Sequence, residues 1–569
     1  MRAPSVASSG VTPLGESDGS LTDVHPDHDE VMIDDGLPVV GCQECYAGSS
    51  PLGEKMILYL RRNWLLCLIF FTVLVVDFGV TAINLSSLAS DDAFIHRRIA
   101  LNYASTGWAY FNPGHRVMVT SSPLWTVVLA IVLKVGQGFD LLPWIELFFV
   151  LAASAAGYLL CRQLQNDGNP ASRMLAGVAF LWVNAIDLPI AIKQMETPLA
   201  TVFMLVGVLG IRKKKEWGLA TLLAAGFVRY ECFLLFAVFA IWSLLKKRWT
   251  KLAVLSCVIV GIPCVSWIFW QYGTVIPNTI IAKKRLYILT RSVTFLQVFH
   301  SKGVASLFFL FFLLWLFYGM KKKYTVASEA VLLLAFGFLL SAAYIFGKSL
   351  IFSWYIPLIV VPLAVGILVC TDSQSRRHVI LGICASAVLV YPSANTSGHL
   401  LVGSFPGKRR WLPDYAEPAR VHEYKRIGAT LNGVCPAANL MTQEVGGLGW
   451  SFHGLILDGA GLASPEAIRY HPMRVPEERS SGLYGELPAG FVRDYHPDVI
   501  VSYDSIAESA LPAARQAGYL DYSYPIFDRE DRPYAHSLWG AKNMHVLVAP
   551  EGRCAVPELP GMISAALEQ

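Results

Sequence analysis

The chain has 569 residues, 54 % of them hydrophobic and only 15 % charged, with a formal net charge of +4. A soluble domain carries about a quarter charged residues, so this composition excludes an ordinary soluble protein. The small net charge, with basic residues gathered at the ends of apolar runs, argues against a nucleic-acid partner and reports membrane topology instead.

Residues 1–55 are polar and rich in Ser, Gly, Asp and Pro, and read as a disordered cytoplasmic tail. The first apolar run begins too late to be a cleaved signal peptide. Cys42 and Cys45 form a Cys-x-x-Cys spacing with no second pair, which reads as incidental. Residues 56–396 hold twelve apolar segments, at roughly 64–84, 121–137, 141–163, 171–190, 197–212, 217–228, 232–246, 252–271, 303–320, 329–347, 353–371 and 378–395. Only helices satisfy their own backbone in lipid at this composition, so the fold class is a polytopic α-helical membrane protein.

Arg61 and Arg62 precede the first span, and clusters at Arg212 to Lys215, Lys246 to Arg248, Lys321 to Lys323 and Arg376 to Arg377 follow later ones. Positive residues mark the cytoplasmic side. Asp91 and Asp92 then emerge on the opposite face, with further loops there near 190–197, 228–232, 272–302 and 347–353. Twelve full crossings contradict this charge pattern. The weakest segment is 121–137, short and holding Pro123 and Lys134, and it reads as a half-helix or re-entrant element. That leaves about eleven transmembrane helices and puts residues 397–569 outside the cytoplasm.

Residues 397–569 are richer in Pro, Gly and charge and have no span. β-like runs at 498–503 and 543–549 and a helical stretch near 415–432 suit a small α/β domain. Cys435 and Cys554 lie in this region, and an oxidising compartment would allow them to pair; the spacing leaves that open.

The most informative run is Asp91-Asp92-Ala93-Phe94-Ile95-His96-Arg97-Arg98, just after the first span. A carboxylate pair at a bilayer edge must be hydrated, paired or used. Residues 92–104 suit an amphipathic helix lying along the interface, and either aspartate could cap it. Asn112-Pro113-Gly114 is a turn.

Four stretches in order carry a family pattern. The first is Asp91-Asp92 with an aromatic, an Arg-containing helix, Phe111-Asn112-Pro113-Gly114 and Ser122-Pro123-Leu124-Trp125. The second is Met195-Glu196-Thr197-Pro198-Leu199, with Gln194 where the pattern has Gly. The third runs from Tyr272-Gly273 through Pro277-Asn278-Thr279 to Ala282-Lys283. The fourth is Glu444-Val445-Gly446-Gly447-Leu448-Gly449, then Leu457-Asp458-Gly459-Ala460-Gly461-Leu462 and Ser464-Pro465. From about 60 to 505 this set resembles the GT-C fold glycosyltransferases, and among them the mycobacterial terminal arabinofuranosyltransferase group and its bacterial relatives. The chain departs at Arg229-Tyr230-Glu231-Cys232, where the pattern often has Arg-Pro-Glu-Gly.

The resemblance implies an inverting glycosyltransferase at the plasma (inner) membrane that moves a sugar, arabinofuranose among the candidates, from a polyprenyl-phosphate donor. The acceptor would be a cell-envelope glycan or lipid; lipid A, O-antigen or protein are alternative acceptors, and a non-enzymatic transporter is the alternative of another class. The chemistry needs a base for the acceptor proton and cations for the departing phosphate. By motif position the expected base is Asp91, with Asp92 as its partner. Lys283, Arg229 and Arg98 are the candidates for donor phosphate, and Glu196, Glu231, His96 and Asn278 for substrate contact. Trp108, Trp125 and Trp354 suit either sugar stacking or an interfacial belt. The residues fix no cofactor: His96 and His115, nineteen positions apart, are no metal-ligand signature, and a divalent cation is carried as an expectation only because some members of the superfamily use one.

Overall fold

The computed structural model describes residues 51–84, 88–136, 140–165, 169–287, 289–299, 302–320, 327–403, 416–473, 485–525 and 541–568. Most of the predicted tail, including Cys42 and Cys45, lies outside them; residues 51–55 already belong to the first helix. Residues 65–569 form one compact unit, and the described residues before it are helical.

Each of the twelve apolar segments is a helix. In chain order they are α1 (Pro51–Asn84), α3 (Pro123–Gly136), α4 (Leu142–Gln165), α5 (Pro170–Ile192), α6 (Thr197–Arg212), α7 (Trp217–Val228), α8 (Cys232–Leu245), α9 (Lys251–Tyr272), α12 (Lys302–Met320), α13 (Ser328–Gly347), α14 (Ile356–Cys370) and α15 (Arg376–Gly403). Between them lie α2 (Asp91–Thr106), α10 (Asn278–Leu286) and α11 (Arg291–Val298). Among the described residues seven helices are long and apolar enough to cross a bilayer, and α3, α6, α7 and α8 are shorter apolar helices. Helix starts follow local chemistry. Asn169 caps α5 by accepting from Ser172 N–H at 2.7 Å, Thr250 caps α9, and Pro198 opens α6 where an N–H is not needed.

Polar contacts sort the helix termini into two ends. At one end Glu329 faces Arg212 at 3.9 Å and Arg248 at 3.8 Å, Thr250 donates to Glu216, and Asn169 donates to Ser373. At the other, Ser90 N–H donates to Lys193 O, Arg229 pairs with Glu231 at 2.8 Å, and Thr197 donates to Trp354 O. Helix α3 begins and finishes at the second end. Thr120, just before it, bonds His96, and Asp140, just after it, bonds the neighbouring Arg97 at 3.1 Å. The segment therefore does not traverse the bundle, and its 14 residues, about 21 Å of helix, pack along α2 and α7. Of the other eleven apolar helices among the described residues, seven are long and apolar enough to cross a bilayer by themselves.

Helix α2 departs from the expected surface helix. Its cap is neither aspartate: Ser90 accepts from Ala93 N–H, Asp91 and Asp92 fill the first turn, and Gly107 ends the helix at φ 80°. Every residue from Ala93 to Ala100 is buried, charged ones included. A helix polar on one side still loses its solvent when another layer covers it, and here the C-terminal region does so.

That region starts after α15, which runs on to Gly403 past the boundary expected at 396/397. It holds α16 (Ala416–Val434), β1 (Asn439–Thr442), α17 (Gly446–Ser451), β2 (Leu455–Asp458), α18 (Ala489–Tyr495), β3 (Val499–Tyr503), α19 (Ala510–Gln516), β4 (Leu520–Pro525), β5 (Asn543–Val548) and α20 (Leu559–Glu568). The strand order is β2-β1-β3-β5-β4, with β1 parallel to β2 and β3 and the other two pairings antiparallel. Strand alternation gives both faces a core. Val499, Val501 and Tyr503 pack with Tyr424 and Leu431 of α16, and Ile500 packs with Phe491 and Leu511 on the other face. Cys435 and Cys554 are joined, closing the end of α16 onto the segment before α20.

Candidate active site

The first turn of α2 meets the N-terminus of α17. Asp91 accepts from Gly446 N–H at 3.0 Å and from Gly447 N–H at 2.8 Å, one to each carboxylate oxygen. A helix start presents free N–H groups, so a carboxylate suits it. Glycine is required there because a Cβ on Gly446 would sit 1.9 Å from Asp91 O, and one on Gly447 would sit 2.7 Å from Val421 O. Burial pushes the Asp91 carboxyl up to about 6 despite these two bonds.

Arg98 fastens the same junction two turns later. Its guanidinium donates to Phe111 O at 2.8 Å and Gly454 O at 3.0 Å, and also to Gly449 O and Phe452 O. Asn112 adds a reciprocal pair with the backbone of Ile456. Arg98 is buried and lines neither cavity described below, so it holds the junction and is not brought to a phosphate site.

Two cavities meet at Asp92. The domain-side cavity, about 460 Å³, is lined by Asp91, Asp92, Lys283, Phe352 and Trp354 and, from the C-terminal region, Glu417, Arg420, Gln443 and Glu444. The bundle-side cavity, about 590 Å³, is lined by Asp92, His96, Glu231, Lys283, Lys284, Lys348, Tyr344 and Tyr355, with apolar Ile280, Leu289 and Leu350. Their shared wall consists of Asp92, Ile95, Lys283, Tyr287 and Leu462, and Asp92 is its one carboxylate among the described residues. Lys283 Nζ lies 3.6 Å from Asp92 and 4.6 Å from the centre of the Phe352 ring. Burial opposes the Lys283 charge, but Tyr355, Asp92 and Tyr287 outweigh it and hold its pKa above the ordinary lysine range.

Beneath the bundle-side cavity lies a polar layer that supports it. Arg229 pairs with Glu196 and, at 2.8 Å, with Glu231, and sits 4.4 Å from the Tyr355 ring centre. Tyr344 donates to Glu231 at 2.9 Å. Burial works against an ionised Glu196, yet Arg229 and then His96 hold its carboxyl below the usual range. His96 lies 3.7 Å from Glu196 and 3.2 Å from the Thr120 hydroxyl, and burial lowers its pKa. Of the four substrate-contact candidates, His96 and Glu231 reach a cavity wall. Glu196 stays in the layer below, and Asn278 donates to Gly461 O and Leu462 O, fixing the loop that carries Leu462. Arg229 likewise supports Glu231 and Tyr355 from behind.

Sequence reasoning did not single out Arg420, Glu417, Gln443, Tyr287, Phe352 or Lys348 as site residues. Arg420 Nε lies 2.6 Å from Glu444, whose carboxyl burial pushes up to about 7. Lys348 ends α13 in the left-handed region at φ 53°, a conformation unusual for lysine. Gln194, at the position where the family pattern has glycine, also has positive φ, 61°. Trp125 is core, Trp108 stacks on Tyr110 at the exposed rim, and Trp354 backs the stacked Phe352 ring. Among the described residues no group of three His, Cys, Asp or Glu side chains is placed to hold a metal ion.

No family model matches the sequence, and no curated protein matches it. Two solved structures of ArnT from Cupriavidus metallidurans are similar in structure. The one bound to undecaprenyl phosphate has a TM-score of 0.48 at 13 % identity, covering 85 % of this chain and 98 % of its own. The apo structure has a TM-score of 0.49 at 12 % identity, covering 87 % and 99 %.

Proposed function

We propose that the protein is a GT-C type glycosyltransferase that takes a sugar from a polyprenyl-phosphate donor at the extracytoplasmic face of the plasma membrane. The observation that carries this reading is that Asp92 alone among the described carboxylates lines both cavities. The donor phosphate lies in the bundle-side cavity against Lys283, Lys284 and Lys348, with its apolar chain toward Ile280, Leu289 and Leu350. The acceptor hydroxyl enters from the domain side. Asp92 takes its proton as the hydroxyl oxygen bonds to the anomeric carbon; the bond from that carbon to the phosphate oxygen breaks, and the phosphate leaves with the electron pair against the lysines. Attack and departure on opposite sides of one wall suit inversion. Asp91 acts as the partner that fixes Asp92, since its own oxygens are occupied by Gly446 and Gly447.

The basic loops at the far end of the bundle and the Cys435–Cys554 bond support the extracytoplasmic placement of the site and of residues 416–568. The sequence resemblance favours arabinofuranose as the sugar and a cell-envelope glycan or lipid as the acceptor. The test incubates purified protein with radiolabelled polyprenyl-phosphate pentoses and hexoses and an envelope acceptor fraction. Transfer by wild type that is lost in Asp92→Asn supports the reading. Wild-type inactivity across the panel, with flux of a labelled lipid across liposomes instead, replaces it with a transporter.

A further inference from the structure

The domain-side cavity has a chemistry of its own. Among its described lining residues stand four carboxylates, Asp91, Asp92, Glu417 and Glu444, and two cations, Lys283 and Arg420. Both cations are committed: Lys283 faces Asp92 at 3.6 Å, and Arg420 lies 2.6 Å from Glu444. Glu417 is paired as well, with Lys193 at 3.2 Å. An anion entering here would find no unpaired cation lining the cavity and would meet Asp91, which is held by backbone N–H groups, and such contact disfavours an anionic ligand. In the bundle-side cavity, by contrast, lysines outnumber carboxylates three to two among the described lining residues: Lys283, Lys284 and Lys348 against Asp92 and Glu231.

Two further features favour an uncharged ligand rich in hydroxyls. Gln443 Oε1 is buried and has no hydrogen-bond partner among the described residues. A buried acceptor left unpaired is costly, so it suits a ligand that donates an O–H. Phe352 and Trp354 stack at 4.8 Å with 6° between their planes, giving a flat apolar wall. The volume of about 460 Å³ falls among small-ligand sites, about 300–1,000 Å³.

From these we infer that the domain-side cavity is a saccharide acceptor site for an uncharged polyhydroxyl unit, half of it built by the C-terminal region through Glu417, Arg420, Gln443 and Glu444. This rests on the donor reading of the neighbouring cavity. It selects against phosphorylated or otherwise anionic acceptors.

The test uses full-length protein in nanodiscs and saturation-transfer NMR. The probes are neutral methyl disaccharides of galactose, mannose and arabinose, and their monophosphorylated counterparts. A neutral disaccharide is expected to bind, with its phosphorylated form at least about tenfold weaker. Gln443→Ala and Phe352→Ala each weaken the neutral probe by about tenfold. Gln443→Ala binds undecaprenyl phosphate as wild type does, because Gln443 does not line the bundle-side cavity, which also reports that it folds. Phe352→Ala loses a ring contact with Lys283, so its folding is read from its thermal midpoint instead. Equal or tighter binding of the phosphorylated probes, indifference to both substitutions, or no saccharide binding at all overturns the inference. Failure of wild type to bind undecaprenyl phosphate counts instead against the donor reading.

Discussion

Asp91 and Asp92 are separated by one position and about 100° of helix rotation, and that rotation divides their work. One points at the start of α17 and the other at the wall between two cavities. Asp92→Asn is therefore expected to lower transfer by about 100-fold or more with little change in thermal stability. Asp91→Asn keeps one acceptor oxygen, sets an NH₂ against an N–H, and should destabilise the fold by about 1–3 kcal/mol at pH 5. The pH sign follows from a carboxyl raised to about 6 from 3.8. The stability that shift contributes is fully present below the unfolded pKa and lost as pH rises through about 6. The gap between wild type and Asp91→Asn should thus narrow from pH 4 to 8, by roughly 3 kcal/mol at most. Denaturation curves of both proteins at the two pH values check it; a gap that widens with pH contradicts it.

At the scale of elements, the junction of α2 with α17 depends on glycine and on one arginine. Gly446→Ala places a methyl where Asp91 O lies and should cost about 1–3 kcal/mol, read as a lower thermal midpoint. Arg98→Met removes four donated hydrogen bonds and leaves carbonyls unpaired, a loss of about 3 kcal/mol or more. Limited proteolysis should then cut within 416–473 sooner than in wild type. The twelve apolar helices were legible in the sequence because lipid demands long apolar runs and leaves the signal local. Length does not separate α3 from α7 and α8, which are as short or shorter; what sets it apart is that Thr120 and Asp140, on either side of it, both bond to neighbouring residues of α2. Strands β3 and β5 were visible as apolar runs, but β1 and β2, of four residues each, and β4, half-exposed and carrying Asp521, Ser523 and Pro525, were not. The burial of α2 was illegible because its cover comes from residues some 350 positions away. For the same reason Arg98 looked like a free cation, and Arg420 and Gln443 gave no local signal at all. The motif pattern named Lys283 and the aspartate doublet as separate site candidates, and their approach to 3.6 Å is seen only in the structure.

For the whole molecule, Glu329 beside Arg212 and Arg248 puts the loop after α6 at one end of the bundle, while the C-terminal region meets α2 at the other. Membrane-impermeant maleimide applied to intact cells should label Glu508→Cys and spare Lys213→Cys until the membrane is opened; the reverse order would invert the orientation. The buried Cys435–Cys554 bond closes a separation of 119 residues, and a link of that reach is worth about 4–5 kcal/mol in the chain-entropy account. Reducing agent should lower the thermal midpoint of wild type and leave a Cys435→Ala, Cys554→Ala double variant unmoved. The contact of Asp91 with Gly446 also bears on biosynthesis. Its halves leave the ribosome 355 residues apart. A nascent chain with every helix through α14 inserted still lacks the C-terminal half of the domain-side cavity and the two N–H groups that hold Asp91, so a stalled or truncated product would lie in the bilayer with that cavity unformed.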